Sequence, residues 1–373
     1  MNKNYVKTGL VVLMAGIFLG VSFVIGGPKI FPFASNVRGL FGLVSSTNSG
    51  ATVGAPKDGV VRMMKDRRIS FNKWVVFAPD GSEVSTSGTK CDGLPEAVDY
   101  AWKNGYSLHV IGGQITNTGK SGPEVINCTQ TLNLPPFQHT SINIESVTLN
   151  FGPGIGANPG LVFDSAMMLD FKMSGQVVYF GTGRAVYFHP ISPVPYDKVT
   201  GIVDSNIEFM AIAVVPEGGK PTGATAVAFD VSSAPIQRVK LHFQEVNGGD
   251  NGILVFSPPI PTGFIMNEIY ANTHQQKNAG VSIGHVPTTF IYGNRWFINA
   301  QPNPSGNAAG LVSYGQNDVI FINVQAGEAG GKAILDGIKL ESSAAKNHIF
   351  IGRMDATNPV NDQSLAKNNI ISK

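Results

Sequence analysis

The sequence predicts an all-β solenoid, a chain of short strands that repeat and stack. Two sets of repeated phrases predict it, and the composition supports them. The first set is Asn251-Gly252-Ile253-Leu254, Ala279-Gly280-Val281-Ser282, Ala309-Gly310-Leu311-Val312 and Asp336-Gly337-Ile338-Lys339, with glycines 28, 30 and 27 residues apart. The second set opens on asparagine: Asn267-Glu268-Ile269-Tyr270-Ala271, Asn294-Arg295-Trp296-Phe297-Ile298, Asn317-Asp318-Val319-Ile320-Phe321 and Asn347-His348-Ile349-Phe350-Ile351. A fixed period of short strands marks a repeat architecture, in which each unit must stack on its neighbours to bury its apolar face. Only 14% of residues are charged while 44 are glycine, a balance that favours strands over helices. The net charge of +2 comes with no basic stripe interleaved with aromatics, so no nucleic-acid partner is expected. Lys65, Arg67 and Arg68 read as a solvated strand edge.

The elements follow in order. Lys3 and Lys7 precede an apolar run over residues 10–25, which reads as an export signal or a membrane anchor within residues 1–27. Membrane contact is expected through this segment alone, and the rest is placed outside the cell or at its surface. Residues 28–58, rich in Gly, Ser, Thr and Asn, read as a flexible linker. The repeat domain is assigned to 59–357. Strand material over 60–77 ends at the turn Pro79-Asp80-Gly81.

A helix is predicted over 92–105, because Leu94, Ala97, Val98, Ala101 and Trp102 form one apolar stripe. Asp92 is its expected N-cap, and Asn104-Gly105 its stop. Its expected use is to cover the open end of the first repeat. Cys91 and Cys128, the only cysteines, permit one disulfide in an oxidising compartment. Proline-rich stretches at 190–195, 216–221, 258–261 and 302–304 belong on loops, since proline cannot donate to a ladder. Residues 358–373 read as a polar tail that frays.

This order of leader, capping helix and Asn/Gly-marked repeats resembles the pectate-lyase-like right-handed parallel β-helix superfamily, which includes pectin-degrading enzymes, phage tailspikes and surface proteins. The resemblance is architectural and covers roughly 91–354. It implies a right-handed parallel β-helix. The polygalacturonase branch carries Asn-Thr-Asp, Asp-Asp, Gly-His-Gly and Arg-Ile-Lys in order. This chain offers Asn247-Gly248-Gly249-Asp250-Asn251, then Gly284-His285-Val286, then Gly337-Ile338-Lys339. Several acids of that pattern are missing, and Gly337 stands where an arginine would hold a sugar carboxylate. An enzyme reading, polysaccharide lyase or glycoside hydrolase, would therefore centre on Asp250, His285 and Lys339. Asp164, Asp170, Asp204 and Asp230 could stack as calcium ligands, but none has ligand spacing. No metal or cofactor is expected, since no metal or nucleotide motif is present.

The second repeat phrase carries the leading functional expectation. Aligned on its asparagines, Glu268, Arg295, Asp318 and His348 share one strand parity, and Tyr270, Phe297, Ile320 and Phe350 lie two positions on with the same parity. With the charged set outward, the apolar set forms an exposed external column. Such a column suits a partner surface: sugar rings of a polysaccharide, identical chains in a homotrimer, or the chain's own proline-rich loops. The expected function is a surface-exposed structural or adhesive module.

Overall fold

The computed structural model describes residues 57–65, 74–85, 91–112, 124–215, 223–256, 262–284, 290–303, 308–325 and 334–373, all within the unit Asn48–Lys373. The leader, most of the linker and His285 lie outside these residues. Among the described residues, no helix is long and apolar enough to cross a membrane.

The fold is all-β with three parallel sheets. Among the described residues a long sheet has 15 strands, a second sheet 9 and a narrow sheet 6. Successive repeats visit them in the same order. Leu161–Phe163 joins the second sheet, Ala166–Met167 the narrow sheet and Asp170–Tyr179 the long sheet. Then Arg184–Phe188, Ile202–Val203 and Asn206–Val214 pair with them in parallel, each on its own sheet. Because neighbours repeat in register, like side chains pile into columns. Inside, Phe163, Phe188 and Phe229 stack at 4.6 Å between successive centroids. All three are essentially inaccessible, and burying each contributes roughly 1.5–3 kcal/mol.

The two repeated phrases mark two corners. In the second sheet Asn251, Ala279, Ala309 and Asp336 are register partners, so the four predicted glycines align. A Cβ on Gly280 would lie 2.8 Å from the Gly310 carbonyl oxygen, and one on Gly310 2.7 Å from that of Gly337. Glycine is required there by close approach.

The other corner joins the narrow sheet to the long one. His139, Met168, Asp204, Arg238, Met266, Asn317 and Lys346 all turn it with φ between 49 and 55°. That left-handed conformation costs roughly 1–2 kcal/mol per residue. In the later repeats the next residue belongs to a buried hydrogen-bond ladder. Asn267 donates its backbone N–H and its amide to Asn294 Oδ1. Asn294 donates in the same way to Asp318 Oδ1. The Asp318 N–H reaches Asn347 Oδ1, and Asn347 donates to Asn369 Oδ1.

This ladder corrects the sequence alignment. The rung of the third phrase is Asp318, and Asn317 is the corner residue before it. The register therefore runs Glu268, Arg295, Val319, His348 and, two positions on, Tyr270, Phe297, Phe321, Phe350. Asp318 and Ile320, expected outside, are fully buried. One residue of slip turns every side chain of a strand to the other face.

Both ends also differ from expectation. The helix is Leu94–Asn104, and it buries Leu94, Ala97, Val98 and Ala101. Its N-cap is Gly93, with no side-chain cap bond; Asp92 instead accepts the Asn127 N–H through Oδ2. Gly105 terminates it in a left-handed conformation, as the Asn104-Gly105 stop predicts. The helix packs on the core, but the first edge of the long sheet is extended by antiparallel strands, Trp74–Phe77 on Val60–Lys65 and Glu83–Ser85 on Trp74–Phe77. Cys91 and Cys128 form the expected disulfide. The C-terminal residues do not end the fold at 357. Ala356–Asp362 and Ile370–Ser372 add strands to the second and long sheets. Their polar side chains continue the ladders, with Asn358 and Asn361 donating to Asp336.

Candidate functional site

The outward face of the long sheet carries one column through successive register partners. It begins Arg62, His109, Asn143, Lys172, Glu208 and His242. It continues Tyr270, Phe297, Phe321 and Phe350. The four rings stack at 4.4, 5.1 and 4.8 Å between centroids, with planes within 5, 4 and 12° of parallel. Parallel rings this close must lie face over face, since side-by-side rings would collide. The column therefore shows solvent its ring edges. Tyr270, Phe321 and Phe350 are 39, 40 and 41% exposed. His242 closes the upper end edge-on to Tyr270. Tyr270 donates its hydroxyl to Glu268 Oε1 at 3.0 Å, and that bond raises its phenol above the ordinary range.

Two positions further along the strands of Tyr270, Phe297 and Phe321 runs a line of carboxamides. Asn299 Nδ2 donates to Asn272 Oδ1 at 3.0 Å, and Gln325 Nε2 to Asn299 Oδ1 at 3.3 Å. Asn323 Oδ1 accepts the Arg353 N–H at 2.8 Å. Rings and amides together line an open groove of about 570 Å³ that crosses five strands of the sheet, from His242 to Phe350. On the other side of the rings stand Lys240, Glu268, Arg295, Val319 and His348. Of the predicted binding residues, Tyr270, Phe297, Phe350, Glu268, Arg295 and His348 come together here, while Asp318 and Ile320 do not. The sequence reading missed Phe321, His242 and the amides. The signal was present as aromatic-x-Asn in Tyr270-Ala271-Asn272, Phe297-Ile298-Asn299 and Phe321-Ile322-Asn323.

Two residues of the enzyme reading, Asp250 and Lys339, are not brought together. Asp250 lies in the turn before Asn251–Phe256, and its Oδ1 is buried without a hydrogen-bond partner among the described residues. Lys339 is three strands away on the second sheet, in register with Leu254, and pairs with Glu341. Three strand spacings and four residues put the two roughly 20 Å apart. His285 lies outside the described residues.

Titratable groups meet elsewhere, in a cleft of about 670 Å³ between the helix and the second sheet, walled by Pro95, Trp102, Leu134 and Tyr187. Asp164, His189 and Asp230 directly follow the register partners Phe163, Phe188 and Phe229. Tyr187 donates to Asp230 Oδ2 at 2.5 Å, and His189 Nδ1 lies 3.5 Å from the same oxygen. Burial works against the charge on Asp230, but bonds from Ser232 and Tyr187 outweigh it and hold the carboxyl below its usual range. Burial, reinforced by that carboxylate, raises the Tyr187 phenol. Asp164 Oδ1 accepts the N–H groups of Ser165, Ile191 and Ser192, so it ties down a loop. Asp170 and Asp204 are bonded to Asn206 and Arg238. Among the described residues no group of three or more His, Cys, Asp or Glu is placed to hold a metal. Comparison with protein-family models, with curated proteins and with solved structures finds no match.

Proposed function

We propose that this chain is an exported right-handed parallel β-helix that binds an extended polysaccharide along the long-sheet groove. Residues 10–25 would serve as its signal or anchor. The fixed order of visits to three parallel sheets supports the winding, and the strong general bias of parallel crossovers supports its hand. One observation carries the binding reading: four stacked rings run beside a line of carboxamides across consecutive strands. Ring edges are the positive part of the aromatic quadrupole, and amides add N–H donors. Both suit an oxygen-rich chain lying along the column, which would meet equivalent groups about every 4.8 Å.

The test is titration of a panel of neutral and acidic polysaccharides against wild type, Asn299→Ala and the double variant Phe297→Ala/Phe321→Ala. Wild type should bind one class, and the double variant should bind it at least tenfold more weakly with little change in melting temperature. Binding by none of the panel, or equal binding by all three proteins, sinks the reading. The exposed apolar column also favours a second reading, association with further copies such as a trimer. Light scattering separates the two, because a wild-type monomer removes self-association. Should a polysaccharide instead be cleaved, the cleft lined by Asp164, Tyr187 and His189, with the buried Asp230 behind them, becomes the place to mutate.

A further inference from the structure

The asparagine ladder has one acidic rung, and its geometry departs from the others in a single atom. Asn267, Asn294, Asn347 and Asn369 each donate their amide to a carbonyl of the preceding repeat, those of Ile236 and Phe264 in the narrow sheet and of Gly315 and Ala344 in line with it. By register the carbonyl that faces Asp318 in this way is that of Ile291. Asp318 Oδ1 does what an asparagine oxygen does, accepting from the Asn294 N–H at 2.8 Å and amide at 3.1 Å. Its Oδ2 takes the branch that carries the amide nitrogen in asparagine, is buried, and makes no hydrogen bond among the described residues, nor does the Trp296 indole N–H that faces the carboxyl. As a carboxylate that oxygen has nothing to donate to a carbonyl; as a carboxylic acid it has one proton.

We propose that Asp318 works in this ladder as a neutral carboxylic acid, standing in for asparagine, so that the rung is locked with the proton on and loosened when it leaves. The groups that face it are Asn294, Trp296, Asn347 and Gly315, none of them charged. The charged side chains on the flanking strands, Arg295, Lys346 and His348, are exposed at the surface. Among the described residues, no cation is therefore placed to hold the carboxylate. Burial pushes the Asp318 carboxyl up to about 7, against smaller opposing effects from Asn294 and the Trp296 indole. The inference stands independently of what the groove binds, although the loosened strand is the one that carries Phe321.

The sign follows from proton uptake. A folded carboxyl that titrates near 7, against about 3.9 when unfolded, holds a proton that the unfolded chain has released. Its contribution is complete below about pH 4 and is lost as pH rises to about 7, about tenfold in the unfolding constant per pH unit. Denaturant unfolding of wild type and Asp318→Asn from about pH 4 to about pH 9 reads it directly. The difference between the two profiles should slope through this window and level off above it, because the amide does not titrate. Parallel profiles overturn the proposal. If the variant does not fold, infrared spectra of the wild type decide. At about pH 6, where ordinary carboxyls are ionised, a buried protonated C=O band should be present and should vanish above about pH 8. Its absence at about pH 6 overturns the proposal as well.

Discussion

The outward column of the long sheet is built two ways in one molecule. Over its first strands it carries Arg62, His109, Asn143, Lys172 and Glu208; over its last it carries Tyr270, Phe297, Phe321 and Phe350. Backbone pairing and outward parity are alike in both halves, and no residue of either half is buried, so the fold accepts a polar residue at this position. On the proposed reading, the rings of the later half answer to binding rather than to folding. The inner column of Phe163, Phe188 and Phe229 has similar stacking distances, but there the rings fill the core. Stacking alone does not separate a structural column from a functional one. Exposure does, together with the presence of a polar equivalent in the same column.

The contrast can be broken most severely from the inside. Phe188→Ala should cost about 3–5 kcal/mol, as a cavity in a packed core does, and calorimetry would show it as a large fall in melting temperature. Phe297→Ala should stay within about 1 kcal/mol of wild type. Equal losses at the two sites would mean that the outer rings are structural.

A smaller effect is expected near the start of the polar half. Replacing Cys91 and Cys128 together by serine opens a span of 37 residues, and denaturant unfolding should register a loss of about 2–4 kcal/mol. Groove binding should be unchanged, because the bridge lies in the early repeats. Transplanting the polar pattern, with Phe297→Lys and Phe321→Glu, should shift stability by no more than about 1 kcal/mol. Ligand binding should vanish in the same protein, and retained binding would place the site elsewhere. The least effect belongs to Lys172–Glu208, a solvent-facing pair at 3.4 Å. Glu208→Ala should cost about 0.2–1 kcal/mol, and less in high salt.

Several features were legible before any coordinates. The glycine row was visible because close backbone approach admits nothing larger at that corner, so the same residue recurs. The helix showed through its apolar stripe and its Gly105 stop, and the disulfide through the presence of only two cysteines. Half of the groove was visible too, in Tyr270, Phe297 and Phe350. Its amide half was overlooked because the repeats were aligned on asparagine rather than on aromatic-x-Asn.

The sequence by itself determined the period and the residue types, since stacked parallel strands need like chemistry at like positions. Only the tertiary structure decided which neighbour in Asn317-Asp318 forms the rung. Either residue suits a left-handed corner or a hydrogen-bonded rung, and the choice depends on what lies above and below it. The same holds for residues 358–373, whose asparagines are solvent-seeking in isolation and become ladder members once Asp336 and Asn347 lie beside them. Short-range chemistry names the candidates for each place, and contacts between distant repeats assign them.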